Sequence, residues 1–139
     1  MALFTDTITV YNSIGDSEWK RTVVHGVQWT DKEESVTSEK NAKVRKSVKD
    51  ISIDFSRSYG NTDEYVDPKK FEKLVNKDGY WTLNAESGLD VVVLGECSME
   101  LNESYRIKNL RADVECATVK SVSDYRNRSF LKHIKVVAE

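Results

Sequence analysis

Polar and apolar residues alternate with a period of two in several short segments of the chain. The clearest are residues 5–11 (TDTITVY), 48–55 (VKDISIDF) and 130–137 (FLKHIKVV). A period of two is typical of a strand that buries one face. Residues 90–96 (DVVVLGE) are almost continuously apolar, which predicts a strand buried on both faces. Together these segments predict a mainly β protein.

Other segments complete the predicted set of elements. Residues 19–29 predict a second strand, and Gly26 inside it indicates a bulge or a close approach of another chain segment. Shorter strands are predicted at 80–83 and 114–122. Residues 67–75 predict a helix of about two turns, with Asp67 as cap and Pro68 in its first position. The sum, about seven strands with one short helix, is typical of a small β-barrel or a sandwich, and the pattern does not choose between them.

Residues 31–49 (DKEESVTSEKNAKVRKSVK) carry very few apolar side chains. The first half is acidic and the second half is basic. A segment this polar buries too little surface to offset the entropy of ordering it. We therefore expect a protruding, solvated loop. Its basic half holds five cations that point to contact with a polyanion or with an acidic neighbouring subunit, namely Lys40, Lys43, Arg45, Lys46 and Lys49.

Length and composition place the chain among single-domain proteins. It has 139 residues and a net charge of -2, which predicts one domain over 1–139 and argues against nucleic-acid binding through bulk charge. The N-terminus has no signal-peptide pattern, and no apolar run is long enough for a membrane span. The two cysteines form no CxxC motif, so we expect both to be reduced in a cytoplasmic protein.

No motif for catalysis was found in the sequence. Phosphate-binding glycine motifs and HExxH are absent. His25 and His133 each lie in a predicted strand, where a hydrogen-bonded structural role is expected, although a pair with Cys97 or Cys116 is formally open. We predict no enzyme, no cofactor and no metal. The tryptophans suit a core, whereas Tyr59, Tyr65 and Tyr125 lie in predicted loops and suit an interface.

A set of segments spread over residues 7–137 resembles one protein family. They are TITVYN, WKRTVVHGVQW, YVDPKKF, YWTL, DVVVLGE, SVSDYR and LKHIKV. The set is similar to small proteins encoded in the head-tail joining region of tailed phages and prophages of Gram-positive bacteria. The resemblance implies a neck protein of the virion that forms a ring, closes the head exit channel after DNA packaging and provides the surface on which the tail docks.

The resemblance also implies partners. The chain would form a hexameric ring, with a dodecamer as the alternative. A portal or adaptor ring would lie on the head side, and a tail terminator or tail tube on the tail side. Double-stranded DNA would occupy the lumen of the ring. The five cations of the loop would face the channel or the next ring, and the subunit interface would include Tyr59, Tyr65, Phe71 and Tyr125. A tail terminator that caps the tail tube is the alternative function, and a small single-stranded nucleic-acid-binding barrel is the third.

Overall fold

The computed structural model describes residues 4–15, 18–37, 43–57 and 59–139. Eight strands and two helices lie within these ranges. In chain order they are β1 (Asp6–Gly15), β2 (Glu18–Thr37), β3 (Lys43–Asp54), β4 (Glu64–Tyr65), α1 (Pro68–Lys73), β5 (Tyr80–Trp81), β6 (Val91–Leu94), α2 (Ile107–Asp113), β7 (Cys116–Asp124) and β8 (His133–Ala138). The prediction of a mainly β protein is confirmed.

Six of the strands close a barrel in the order β1-β2-β3-β8-β7-β6, with β6 paired back to β1. Every neighbouring pair is antiparallel. The barrel rather than the sandwich is therefore the architecture. The strands β4 and β5 form a separate, parallel two-stranded sheet. No helix in the described ranges has the length and apolar character that a membrane span requires.

Two apolar clusters stabilise this architecture. The larger one fills the barrel with alternate residues of the six strands, and Trp81 and Leu83 join it from the segment around β5. The smaller cluster lies outside the barrel, where Tyr11 and Val91 pack under Leu101 and Leu110 of the α2 region. Because β1 and β6 contact both clusters, they are buried on both faces, which explains the continuous apolar run of β6.

Residues 31–37 and 43–49 are not the loop that their composition predicts. Residues 31–37 of β2 pair with residues 43–49 of β3 in a continuous antiparallel register from Asp31↔Lys49 to Thr37↔Lys43. We call this two-stranded ribbon the arm. Its backbone groups bond across the ribbon, so it needs no apolar side chains to be extended. The prediction of a loop is wrong because a polar ribbon lacks the alternation of polar and apolar residues that marks a half-buried strand.

The arm projects from one end of the barrel. Pairing of β2 with β1 ends at Val27, and pairing of β3 with β8 begins at Lys49. At about 3.3 Å per residue, strand residues 31–37 extend roughly 23 Å beyond the barrel. The opposite end, which we call the far end, holds the connection between β7 and β8, because Asp54 pairs with His133 there.

Gly26 occupies a position in β2 that only glycine fits. Asp6 pairs with Val27 and Thr7 with His25, so Gly26 is the extra residue of a bulge. Its φ is +79°, and a Cβ built there would lie 2.3 Å from the ring of Tyr59. Both readings of this glycine from the sequence, a bulge and a close approach, are confirmed.

Replacing this glycine tests the close approach. We expect Gly26→Ala to lower the free energy of unfolding by about 3–4 kcal/mol, since a left-handed conformation and a steric clash add together. In a Tyr59→Ala background the same substitution should cost only about 1–2 kcal/mol, because the clash is gone. Urea denaturation of the four proteins measures both values. An equal cost in the two backgrounds would contradict the contact.

A buried carboxylate joins β1 to the start of β6. Asp90 is 2% exposed. It accepts hydrogen bonds from Asn12 Nδ2 at 2.8 Å, from the Ser13 amide at 3.0 Å and from the Asn84 amide at 2.9 Å. Burial raises its pKa, although all three donors favour the charged form. The network continues from Asn12 to the backbone of Thr82, so one carboxylate fixes three chain segments.

This network predicts a large effect of a nearly isosteric change. Asp90→Asn places an NH₂ group among N–H donors, so we expect a loss of about 2–3 kcal/mol in the free energy of unfolding. Asp78→Asn, at an exposed position, is the matched control and should be neutral within about 0.5 kcal/mol. Equal stability of the two variants in urea denaturation would show that Asp90 does not join these segments.

Candidate interaction surfaces

Lys49 lies at the base of the arm and is 8% exposed. Its ammonium donates to Ser47 Oγ at 2.7 Å and pairs with Asp31 at 3.2 Å and Glu115 at 3.6 Å. The hydrogen bonds from Trp29 and Lys49 lower the pKa of Asp31. Lys49 therefore ties the arm to the barrel within its own chain. Its predicted contact with DNA or a neighbouring ring stays a prediction.

The other predicted cations lie further along the arm. The register places Lys43 opposite Thr37, Arg45 opposite Ser35 and Lys46 opposite Glu34. Lys40 lies outside the described residues. Their predicted contacts with DNA or with a neighbouring ring stay predictions.

The four residues predicted for a subunit interface are divided between core and surface. Tyr65 is 6% exposed and Phe71 is 4% exposed. Tyr59 packs its ring over Gly26 and donates its hydroxyl to Asp54. Tyr125 is half-buried and stacks on the ring of His133 at 4.8 Å. Their role between subunits is untested, and the burial of Tyr65 and Phe71 leaves little of either side chain for a neighbour to contact.

An aromatic cluster closes the far end of the barrel. The ring of Tyr65 meets Trp81 edge-on at 5.0 Å, and Phe55 stacks on Trp81 at 6.4 Å. The guanidinium of Arg126 lies 4.5 Å from the Tyr65 ring and forms paired hydrogen bonds with Asp124 at 2.8–3.1 Å. This arginine couples the β7–β8 connection to the core.

The ion pair of Arg126 predicts a pH dependence of stability. Hydrogen bonds from Arg126 lower the pKa of Asp124 below its ordinary value of 3.8. A lowered carboxyl pKa contributes stability above that value, and the contribution is lost as the pH falls through the folded-state pKa. We expect Asp124→Asn to cost about 0.5–1 kcal/mol at neutral pH, because the pair is partly exposed. The cost should vanish in urea denaturation well below pH 3.8. A cost independent of pH would contradict the charge pair.

The connection after Arg126 is a surface that the sequence analysis missed. Phe130 is 72% exposed and Leu131 is 64% exposed. Arg128 and Lys132 flank them, and the guanidinium of Arg128 lies 4.6 Å from the Tyr125 ring. We call Arg128, Phe130, Leu131 and Lys132 the turn surface. Alternation over 130–137 predicted a strand, but β8 begins only at His133. The absence of acids from 125 to 138 was the available signal.

The described residues hold no group of three or more histidine, cysteine or carboxylate side chains that could bind a metal. His25 Nδ1 lies 2.9 Å from Thr7 Oγ1, and His133 Nδ1 lies 2.7 Å from the Leu131 carbonyl. Both histidines thus have local partners, as expected. Cys97 and Cys116 are free thiols at half-buried positions. A groove of about 750 Å³ beside α1 is lined by charges of both signs, including Lys69, Lys73, Glu72 and Glu86.

Comparison with known proteins gives a family and no function. The chain belongs to a family described as a family of unknown function (DUF6751), which matches residues 3–139. No curated protein and no solved structure matches the chain. Any further conclusion therefore rests on the geometry of the barrel, the arm and the turn surface.

Proposed function

We propose that the chain is a structural subunit of the phage neck, where a ring of copies closes the head exit channel after DNA packaging and presents the docking surface for the tail. The observation that carries this proposal is the arm, a ribbon that extends roughly 23 Å from a closed barrel. A compact barrel provides a rigid body for lateral contacts, while a projecting ribbon reaches across a channel or onto an adjacent ring.

The base of the arm supports a mechanical role. Lys49 of β3 pairs with Asp31 of β2 and with Glu115 in the segment before β7. These two ion pairs connect the base of the arm to the barrel. A second ion pair, Lys32 with Asp50 at 2.6 Å, joins the two strands beside it. Pairs anchored on three elements hold the ribbon in a defined direction, whereas a free loop would fluctuate. A ring subunit that blocks a channel needs such a fixed projection.

The charges of the arm fit contact with DNA that remains weak. Residues 31–49 carry six cations and four acids, and the register sets Glu34 opposite Lys46 and Asp31 opposite Lys49. A protein that neutralises many phosphates binds DNA tightly, because each contact releases counterions. The arm has a small excess of positive charge, so we expect it to obstruct DNA mainly by its volume. Release of the genome on infection then requires only movement of the arm.

A shortened arm tests the proposal. In the phage or prophage that encodes this chain, the gene is deleted and complemented with a variant in which Asn-Gly replaces residues 33–47. The pair Lys32↔Val48 then flanks a two-residue turn, and the strand pairs of the barrel are kept. We expect heads that lose their DNA beside normal free tails in electron microscopy. The purified variant should keep the unfolding midpoint of the wild type to within a few degrees.

A charge variant of full length is the matched control. This triple variant carries Lys43→Gln, Arg45→Gln and Lys46→Gln. It keeps the length of the arm, so we expect filled heads and infectious particles. Filled heads with tails of irregular length in the shortened variant would mean a tail terminator. Infectious particles from the shortened variant would overturn the proposal.

A further inference from the structure

The turn surface has the composition of a contact site. Two large apolar side chains, Phe130 and Leu131, stand in solvent between the cations Arg128 and Lys132. Scattered exposed apolar residues are normal, but adjacent ones rimmed by charge mark an interaction site. Aromatic residues and arginine are also the types enriched where interfaces gain most of their energy.

The backbone holds these side chains outward. Leu131 adopts a φ of +56°, a left-handed conformation that costs a leucine about 1–2 kcal/mol. The Leu131 carbonyl lies 2.7 Å from His133 Nδ1, and the Lys132 carbonyl accepts from the Phe55 amide at 2.8 Å. A strained residue fixed by its neighbours, with its side chain in solvent, indicates a surface formed before its partner binds.

Exposed residues of opposite charge lie in the segment that begins at the end of β6. Leu94 is 51% exposed and Met99 is 39% exposed, and the exposed Glu96 and Glu100 flank them. We call these four residues the acidic patch. It is also fixed by the backbone, since the Gly95 amide donates to the Thr7 carbonyl at 2.7 Å and Tyr11 Oη donates to the Met99 carbonyl at 2.7 Å.

We propose that the turn surface of one copy docks on the acidic patch of the next copy. Each surface offers two apolar side chains and two charges, and the charges of the two surfaces are opposite in sign, although within the acidic patch Glu100 also pairs with Arg21 of its own chain at 3.8 Å. Complementary potentials of this kind select the partner and its orientation. The occupant is therefore a second copy of this chain, because the same molecule carries both halves of the contact.

The two surfaces lie at different places on the barrel. The turn surface is at the far end, whereas Leu94 pairs with Ile8 near the end that carries the arm. A contact between different surfaces that each pair of copies makes once is heterologous and builds a closed ring or an open filament, whereas a reciprocal pair of such contacts would close a two-fold dimer. The ring of the proposed function requires the first arrangement. The inference rests on the proposed function for its ring and adds the residues that close it.

Charge exchange tests the contact in the purified full chain. Sedimentation velocity at low salt measures self-association. We expect Arg128→Glu and Glu96→Arg each to weaken it by about tenfold, and the double variant to recover most of the loss. Lys120→Glu makes the same charge change at an exposed position of β7 and should have no effect. Failure of the double variant to recover would overturn the contact, as would a wild type that remains monomeric up to its solubility limit.

Photocrosslinking identifies the surface that is touched. The chain with p-benzoylphenylalanine at 130 is mixed with an isotopically heavy copy. We expect crosslinks between light and heavy chains in the peptide that contains residues 94–100. The same group at Leu89, which is 52% exposed elsewhere on the surface, should not crosslink to that peptide. Crosslinks from position 130 to other segments, or within one chain alone, would overturn the inference.

Two further results separate this inference from the proposed function. If Arg128→Glu still supports infectious particles while the shortened arm gives leaking heads, the neck function stands and the docking contact is wrong. If a single-stranded oligonucleotide binds the wild type and Arg128→Glu abolishes that binding, the turn surface belongs to nucleic acid, and the docking contact is wrong as well.

Discussion

Strand β1 is the constraint on which the rest of the structure depends. It pairs with β2 along one edge and with β6 along the other, so it closes the barrel. Ile8 and Val10 point into the larger cluster while Tyr11 packs into the outer one. A closed barrel removes the free edges that make an open sheet associate without control. Removing β1 would open the barrel and take residues from both clusters.

Closure also explains why the arm is the notable projection. Once six strands satisfy one another, an extra length of β2 and β3 has no neighbour except its partner. The ribbon must then leave the barrel, and its base is held by the ion pairs of Lys49. The far end is closed differently, by the cluster around Trp81 with Arg126 above it. The two ends therefore present different chemistry, which a polar assembly needs.

Much of the fold could be predicted from short-range patterns, and most of the candidate surfaces could not. Alternation predicted β1, β3 and the buried β6, and Gly26 marked the bulge. Asp90 was not predicted, because its three donors come from distant segments. The composition of the arm predicts a loop because a polar ribbon lacks the alternation that marks a strand. Phe130 and Leu131 were assigned to a strand because alternation cannot distinguish a buried side chain from one that a left-handed turn exposes.

The register of the arm changes what its charges can do. In the sequence, acids and cations stand in separate halves, which suggests a positive arm. The hairpin folds these halves onto each other and places Asp31 opposite Lys49 and Glu34 opposite Lys46. The four acids of residues 31–49 offset part of the charge of the six cations, so a distant polyanion senses a weaker field than the basic half alone would give. The length and fixed direction of the arm, rather than its net charge, are therefore the properties on which a role in closing a channel depends.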